Sequence, residues 1–331
     1  MARTGNPLPR RRFLAGVAGA VLAAPRAARA QAAGKPPRVC SVGVTPSDPA
    51  LLRAFAEGLG EQGYVDGRTV TIDDRHADGQ PQRLRGVVVA LVRSRCDVLF
   101  ARGPGALTAA RNATASIPIV AVDLESDPVA MGFAHNLARP GGNITGVFLD
   151  VPELSGKQLQ LLRELVPTLS RVAVLGDPLL NAPQFRATEQ AARNLAIRLQ
   201  RLEVREPADL ERAFEAARRG GNRAVILLSS PLVFVHREAI GSMAASRSLP
   251  AVSMFVEFAE AGGLMVYGPS LREAFRRCGG YAARILRGAR PGDLPIERPE
   301  KFHLVINRKT AGALGLTIPT SLLQRADQVI E

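Results

Sequence analysis

Two histidine–carboxylate pairs, His76-x-Asp78 and His236-x-Glu238, are this chain's nearest approach to a metal site, and neither gathers a third ligand around it. A metal centre takes three or four protein ligands, so both pairs are expected on the solvated surface, with no metal and no cofactor. Catalysis is equally short of parts. The chain has no G-x-S-x-G elbow, no G-x-x-x-x-G-K-[ST] loop and no G-x-G-x-x-G fingerprint, so no nucleophile with its base and no phosphate cradle can be assembled. Of the carboxylates Glu257 and Glu260, only Glu257 is expected to face a cleft. The chain does not read as an enzyme.

What recurs instead is a set of turns made of small and polar residues: Thr45-Pro46-Ser47, Gly103-Pro104-Gly105, Asp123 to Asp127, Asp177-Pro178, Ser229-Ser230-Pro231 and Gly268-Pro269-Ser270. Such turns let a ligand reach backbone N–H groups at helix starts, where the helix dipole favours negative charge. They also use these residues for turn geometry alone; as a set they point to a binding cleft. The candidate ligand contacts are Thr45, Ser47, Gly103, Gly105, Asp127, Ser229, Ser230, Glu257 and Tyr267. Asp127 has two readings, a cap on a helix beginning near Pro128 or a hydrogen-bond acceptor for the ligand.

These turns need strands before them and helices after them, and the pattern supplies both. Strand candidates are 38–44, 69–73, 98–101, 117–122, 144–149, 172–175, 199–204, 224–228, 251–254 and 264–267, with amphipathic helix candidates between them. Continuously apolar strands separated by helices predict an α/β fold with parallel sheets. About five strands precede residue 150 and about five lie between 170 and 268, and residues 96–122 echo residues 222–254. Two similar lobes are therefore expected rather than one large sheet. In open α/β sheets, ligands bind beyond the carboxyl ends of the strands.

The amino terminus sets the compartment. Arg10-Arg11, followed by Phe13-Leu14, an apolar run to Ala24 and the small-x-small triplet Ala28-Arg29-Ala30, reads as a twin-arginine signal peptide over residues 1–30, with a flexible lead-in over 31–37. The apolar run is shorter than the roughly 20 residues a membrane span needs, so no membrane insertion is expected after cleavage. The leader carries six arginines and no carboxylate, so a net charge of +13 falls to about +7 without it. That residue of charge is scattered, with no Trp and three Tyr, which argues against nucleic-acid binding. The basic balance leans weakly towards an anionic solute. Cys40, Cys96 and Cys278 are an odd set; one disulfide is possible, and its pairing is not legible from spacing.

Several stretches together resemble one family: EGLGEQGYVDGRTV from Glu57, IPIV from Ile117, DPVAMGF from Asp127, ARPGGNITG from Ala138, LSGKQLQLL from Leu154, EAGGLMVYGPS from Glu260 and ALGLTIP from Ala313. The chain resembles the ABC-transporter substrate-binding proteins of the tryptophan/tyrosine type. The resemblance implies a type I periplasmic binding fold, two Rossmann-like lobes with parallel sheets joined by a three-segment hinge. Lobe one would be 38–148 plus about 270–290, and lobe two 149–268 plus about 300–331. It implies delivery of a small molecule to an ABC permease and, through it, an ATPase; the export signal predicts the periplasm, and a monomer is expected there. A ligand-sensing subunit of a signalling receptor would share the fold without transport. Aromatic-amino-acid binders of the family tend to carry an Asp-Asn pair in the turn where this chain has Ser229-Ser230. The usual ammonium contact is thus expected to be missing, with Asp127 or Glu257 as substitutes.

Replacing Arg10 and Arg11 together by Lys is expected to leave the uncleaved precursor in the cytoplasm. Fractionation checks this; a fully processed periplasmic double variant would show export by the general secretory route.

Overall fold

A computed structural model describes residues 1–2, 35–148 and 152–331; residues 3–30 of the signal peptide and 31–34 of the lead-in lie outside the described residues. Alternation of strand and helix begins at once, with β1 (Arg38–Gly43), α1 (Pro49–Gly60), β2 (Thr71–His76), α2 (Leu84–Arg93), β3 (Val98–Arg102), α3 (Pro104–Ala113), β4 (Ile119–Asp123) and β5 (Ile144–Phe148). These five strands form one parallel sheet in the order β2-β1-β3-β4-β5.

A second alternation follows: α4 (Pro152–Leu165), β6 (Arg171–Gly176), α5 (Pro178–Asn194), β7 (Arg198–Glu203), α6 (Asp209–Arg219), β8 (Val225–Leu227), α7 (Pro231–Val235), α8 (Arg237–Ser246), β9 (Ala251–Ser253), α9 (Val256–Glu260) and β10 (Met265–Gly268). The chain ends with α10 (Leu271–Leu286), β11 (His303–Asn307), α11 (Arg308–Ala313), α12 (Thr320–Arg325) and β12 (Gln328–Ile330). The second sheet runs β12-β11-β10-β9-β8-β6-β7. It has two strands more than the apolar runs suggested, and one of them departs from the expected parallel pattern: β11 pairs antiparallel with β10. The reason is positional. Gly268, the last residue of β10, pairs with His303, the first of β11, so the chain re-enters the sheet at the end it left. A parallel strand would have needed a crossover back to the other end.

Between those two strands the chain visits the first sheet. Helix α10 packs along α1 and against β4 and β5, and Glu297 exchanges backbone hydrogen bonds with the β5 strand, Phe148 N–H to its carbonyl and its own N–H to Gly146, both 3.0 Å. The α1–α10 contact is close because glycines face it. A Cβ on Gly58 would overlap the Arg276 carbonyl oxygen, and one on Gly279 would overlap that of Phe55. Beneath it, Phe55 stacks on Phe100 at 4.2 Å and Phe100 meets Phe275 edge-on at 5.3 Å. Outside it, Arg272 pairs with Glu57 at 3.0 Å and Arg276 pairs with Glu61.

Residues Pro36–Glu331 form one compact unit. Cys40, in β1, and Cys96, just before the neighbouring β3, are joined by a disulfide with Cα atoms 5.9 Å apart; Cys278 is free and buried in α10. Among the described residues no helix is long and apolar enough to cross a membrane.

Gly279→Ala is expected to destabilise the protein by about 1–3 kcal/mol, the usual cost of overpacking. Gly280→Ala, where a Cβ meets nothing within 4 Å, should be neutral or gain up to about 1 kcal/mol from the lower entropy of alanine. Chemical denaturation of the two variants side by side checks the contrast.

Candidate functional site

Each sheet changes winding direction once, between β1 and β3 in the first and between β6 and β8 in the second. Crevices open at such points beyond the carboxyl ends of parallel strands. The residues there are Val44 to Asp48 after β1, Gly103 after β3, Asp177 after β6 and Ser229-Ser230 after β8. A cavity of about 100 Å³ lies between the two sheets' turns, lined on the first side by Thr45, Ser47, Asp48, Arg102, Gly103 and Glu125, and on the second by Ser230, Pro231, Phe234 and Phe255. Leu51 of α1 and Leu271 and Phe275 of α10 close it with apolar surface.

Local chemistry explains why these groups stand where they do. Arg102 ends β3 and is almost wholly buried, its side chain 9% exposed. Its guanidinium donates to Asp74 Oδ1 at 3.1 Å, Ser41 Oγ at 3.1 Å and the Thr45 carbonyl at 3.2 Å. It thereby pins the turn after β1 to β2. Gly43 leaves the room this needs, since a Cβ there would lie 2.7 Å from the guanidinium. Burial lowers the Arg102 pKa from its ordinary value, against the opposing pull of Asp74. On the second side, Ser229 is held by its backbone: Asn181 Nδ2 donates to its carbonyl at 2.6 Å, and its N–H donates to Gln184 Oε1 at 3.2 Å. Its hydroxyl is left free to turn inward.

That hydroxyl crosses the gap and donates to Glu125 Oε1 at 2.7 Å. A second bridge joins the sides, Arg237 Nη2 donating to Asp48 Oδ2 at 3.3 Å. Glu125 follows the buried carboxylate of Asp123, whose Oδ1 accepts from the N–H groups of Glu125 and Ser126 at 3.0 and 3.1 Å. Its Oδ2 is buried with no partner. Both carboxyl groups are shifted upward, primarily by burial; for Glu125 the neighbouring Asp123 adds to the shift, which reaches about 8, against the pull of the Ser229 hydroxyl and the Leu124 N–H. Among the described residues no Arg or Lys pairs with either.

Of the candidates named from sequence, Thr45, Ser47, Gly103 and Ser230 line this cavity. The Ser47 hydroxyl is buried without a partner, whereas Ser230 Oγ accepts from Val233 N–H at 3.1 Å as the cap of α7. Gly105 and Asp127 line a second groove of about 1000 Å³ that shares Glu125 with the first. Asp127 Oδ1 is taken by the N–H groups of Val129 and Ala130 at 2.9 and 3.1 Å, in a turn rather than a helix. Ser229 enters through its bond to Glu125. Glu257 and Tyr267 line neither space. Glu257 sits in the first turn of α9 with its pKa raised by burial; Tyr267 packs on Phe302 at 6.0 Å and gives its carbonyl to Gln158 Nε2. Sequence reasoning missed Asp48, Arg102, Glu125 and the phenylalanines. An arginine ending an apolar strand and a second acid within the Asp123 to Asp127 stretch were the available signals.

A carboxyl held protonated by the fold makes stability fall as pH rises, since the folded chain keeps a proton that the unfolded chain releases. With Glu125 raised from 4.5 to about 8, the contribution is fully present below about pH 4.5 and is lost as pH rises to about 8. The wild-type melting temperature is therefore expected to drop across this window more steeply than that of Glu125→Gln. Parallel slopes from thermal melts at graded pH would refute it.

Residues 41–330 match the family model described as "ABC transporter substrate binding protein". A curated relative, the Tyrosine-binding protein of Clostridioides difficile (strain R20291), is 22% identical over 275 residues, spanning 82% of this chain and 78% of that one. Among solved structures, a conserved domain protein from Vibrio cholerae O1 biovar El Tor superposes with a TM-score of 0.82 at 25% identity, covering 89% of this chain and all (100%) of that one. An ABC domain in complex with L-Trp from Streptococcus pneumoniae gives 0.81 at 23% identity with the same coverages, 89% and 100%. The architecture is the type I periplasmic binding fold.

Proposed function

Because the chain belongs to the ABC transporter substrate-binding protein family, we propose that it captures a small solute between two lobes outside the cytoplasm and presents it to the membrane permease of an ABC importer. The observation that carries this reading is the cavity at the facing winding points of both sheets, walled by Thr45, Ser47 and Gly103 from one and Ser230, Phe234 and Phe255 from the other. A ligand that touches both sides stabilises the closed state by its differential affinity for closed over open. The bridges Ser229–Glu125 and Arg237–Asp48 already link the sides, as closure requires.

The moving bodies are 38–148 with about 270–290, and 149–268 with about 300–331. Export of a monomer through the twin-arginine route belongs to the same proposal. The solute has an apolar, ring-sized body. Phe234, Phe255 and Phe275 with Leu51 and Leu271 supply that wall, and aromatic pairs gain roughly 0.5–1.5 kcal/mol beyond area burial. The relatives that bind tyrosine and L-Trp make aromatic amino acids the first compounds to try. Net basic charge had leaned towards an anion; the cavity wall, carrying Asp48 and Glu125 beside an already paired Arg102, favours a group that donates.

A thermal-shift screen of amino acids, aromatic acids and amines tests the reading. A true ligand at 100 times its Kd is expected to add about 2.7 kcal/mol, and Phe255→Ala should weaken it at least tenfold. A screen in which no small molecule stabilises the protein would overturn the receptor role.

A further inference from the structure

The Asp123–Glu125 pair reaches the cavity through Glu125, and the capture of an apolar body leaves its charge unused. Asp123 is fully buried, its Oδ2 has no partner, and its carboxyl lies against that of Glu125, which forms part of the cavity wall. Two adjacent carboxylates, Asp123 buried and Glu125 half-buried, resist ionising together without a cation. The surrounding charges are committed elsewhere. Arg102 is bound to Asp74, Ser41 and the Thr45 carbonyl. Arg237 is bound to Asp48 and the Phe234 carbonyl, beside Glu257. Asp127 is spent on backbone N–H groups, and the partner facing Glu125 from the second sheet is the neutral Ser229 hydroxyl.

Resting on the receptor reading, we propose that the ligand carries a primary ammonium on an aromatic body and that this ammonium enters in exchange for the single proton held by the Asp123–Glu125 pair. The exchange balances. The empty pair holds one proton and one negative charge; binding sends that proton to solvent and puts one positive nitrogen in its place. No other group changes charge, and the Ser229 bond to Glu125 Oε1 persists. This contact stands on the first sheet. It replaces the one that the serine turn of the second sheet lacks, and neither Asp127 nor Glu257 supplies it.

Calorimetry on the whole protein with tyramine, L-tyrosine and 3-(4-hydroxyphenyl)propionate, in buffers of differing ionisation enthalpy, decides the matter. Tyramine and L-tyrosine are expected to bind with close to one proton released at pH 6.5, their affinity rising about tenfold per pH unit between pH 6 and 7.5, while the deaminated acid binds at least tenfold more weakly. Glu125→Gln should lose both the proton release and most of the affinity for the amines; if that variant fails to fold, the ligand series on the unaltered protein decides alone. Binding of the acid as tightly as L-tyrosine, binding of the amines without proton release, or no binding of either amine would each overturn the exchange. A stabilising hit elsewhere in the wider solute screen would leave the receptor reading standing in all three cases.

Discussion

Parallel strands all present their carboxyl ends to the same side, and in this protein two such sides face one gap. Everything at the candidate site follows from that orientation. Strand carboxyl ends deliver turns whose N–H groups head the next helix, so the gap is surrounded by turns that must be polar and small. The buried Arg102 then serves the frame more than the ligand. By gripping β2 and the turn after β1 at once, it fixes where Thr45, Ser47 and Asp48 stand. Its cost of burial is offset by Asp74 and the carbonyls around it.

The carboxyl pair is the opposite case. Asp123 takes two backbone N–H groups on one oxygen and nothing on the other, and Glu125 takes one N–H and one hydroxyl. Four neutral donors are a poor substitute for water around two carboxylates. A fold that keeps such a pair gives up stability at the candidate site, and perturbed carboxyls commonly cluster at functional sites.

The sequence carried ten of the twelve strands, most of the turns and the family, because apolar runs and Gly/Pro/Ser punctuation are local signals. It carried Thr45, Ser47, Gly103 and Ser230 for the same reason: they sit directly at turns that punctuation marks. It did not carry Glu125. The stretch Asp123 to Asp127 offers three acids, and which of them reaches the gap depends on Ser229, 104 residues away. Asp127 had two readings from its place before Pro128, and its Oδ1 accepts the N–H groups of a turn where no helix begins. The Cys40–Cys96 bridge was illegible for a related reason: it depends on β3 lying beside β1 rather than β2 lying there alone. The antiparallel β11 likewise reflects where the chain returns from, which no local pattern records.

The packing of α10 against α1 has a temporal side. Helix α1 ends at residue 60 and α10 begins at 271, with the whole first pass through the second sheet between them. A ribosome that has released residues 1 to 148 has delivered all five strands of the first sheet but not the helix that covers Phe55 and Phe100. That apolar face stays uncovered until more than 120 further residues, from 149 to beyond 271, have emerged. The first sheet's packing thus cannot finish before most of the second sheet has been made. A chain cut just before α10 leaves both sheets unfinished, where two independent domains would have left one complete.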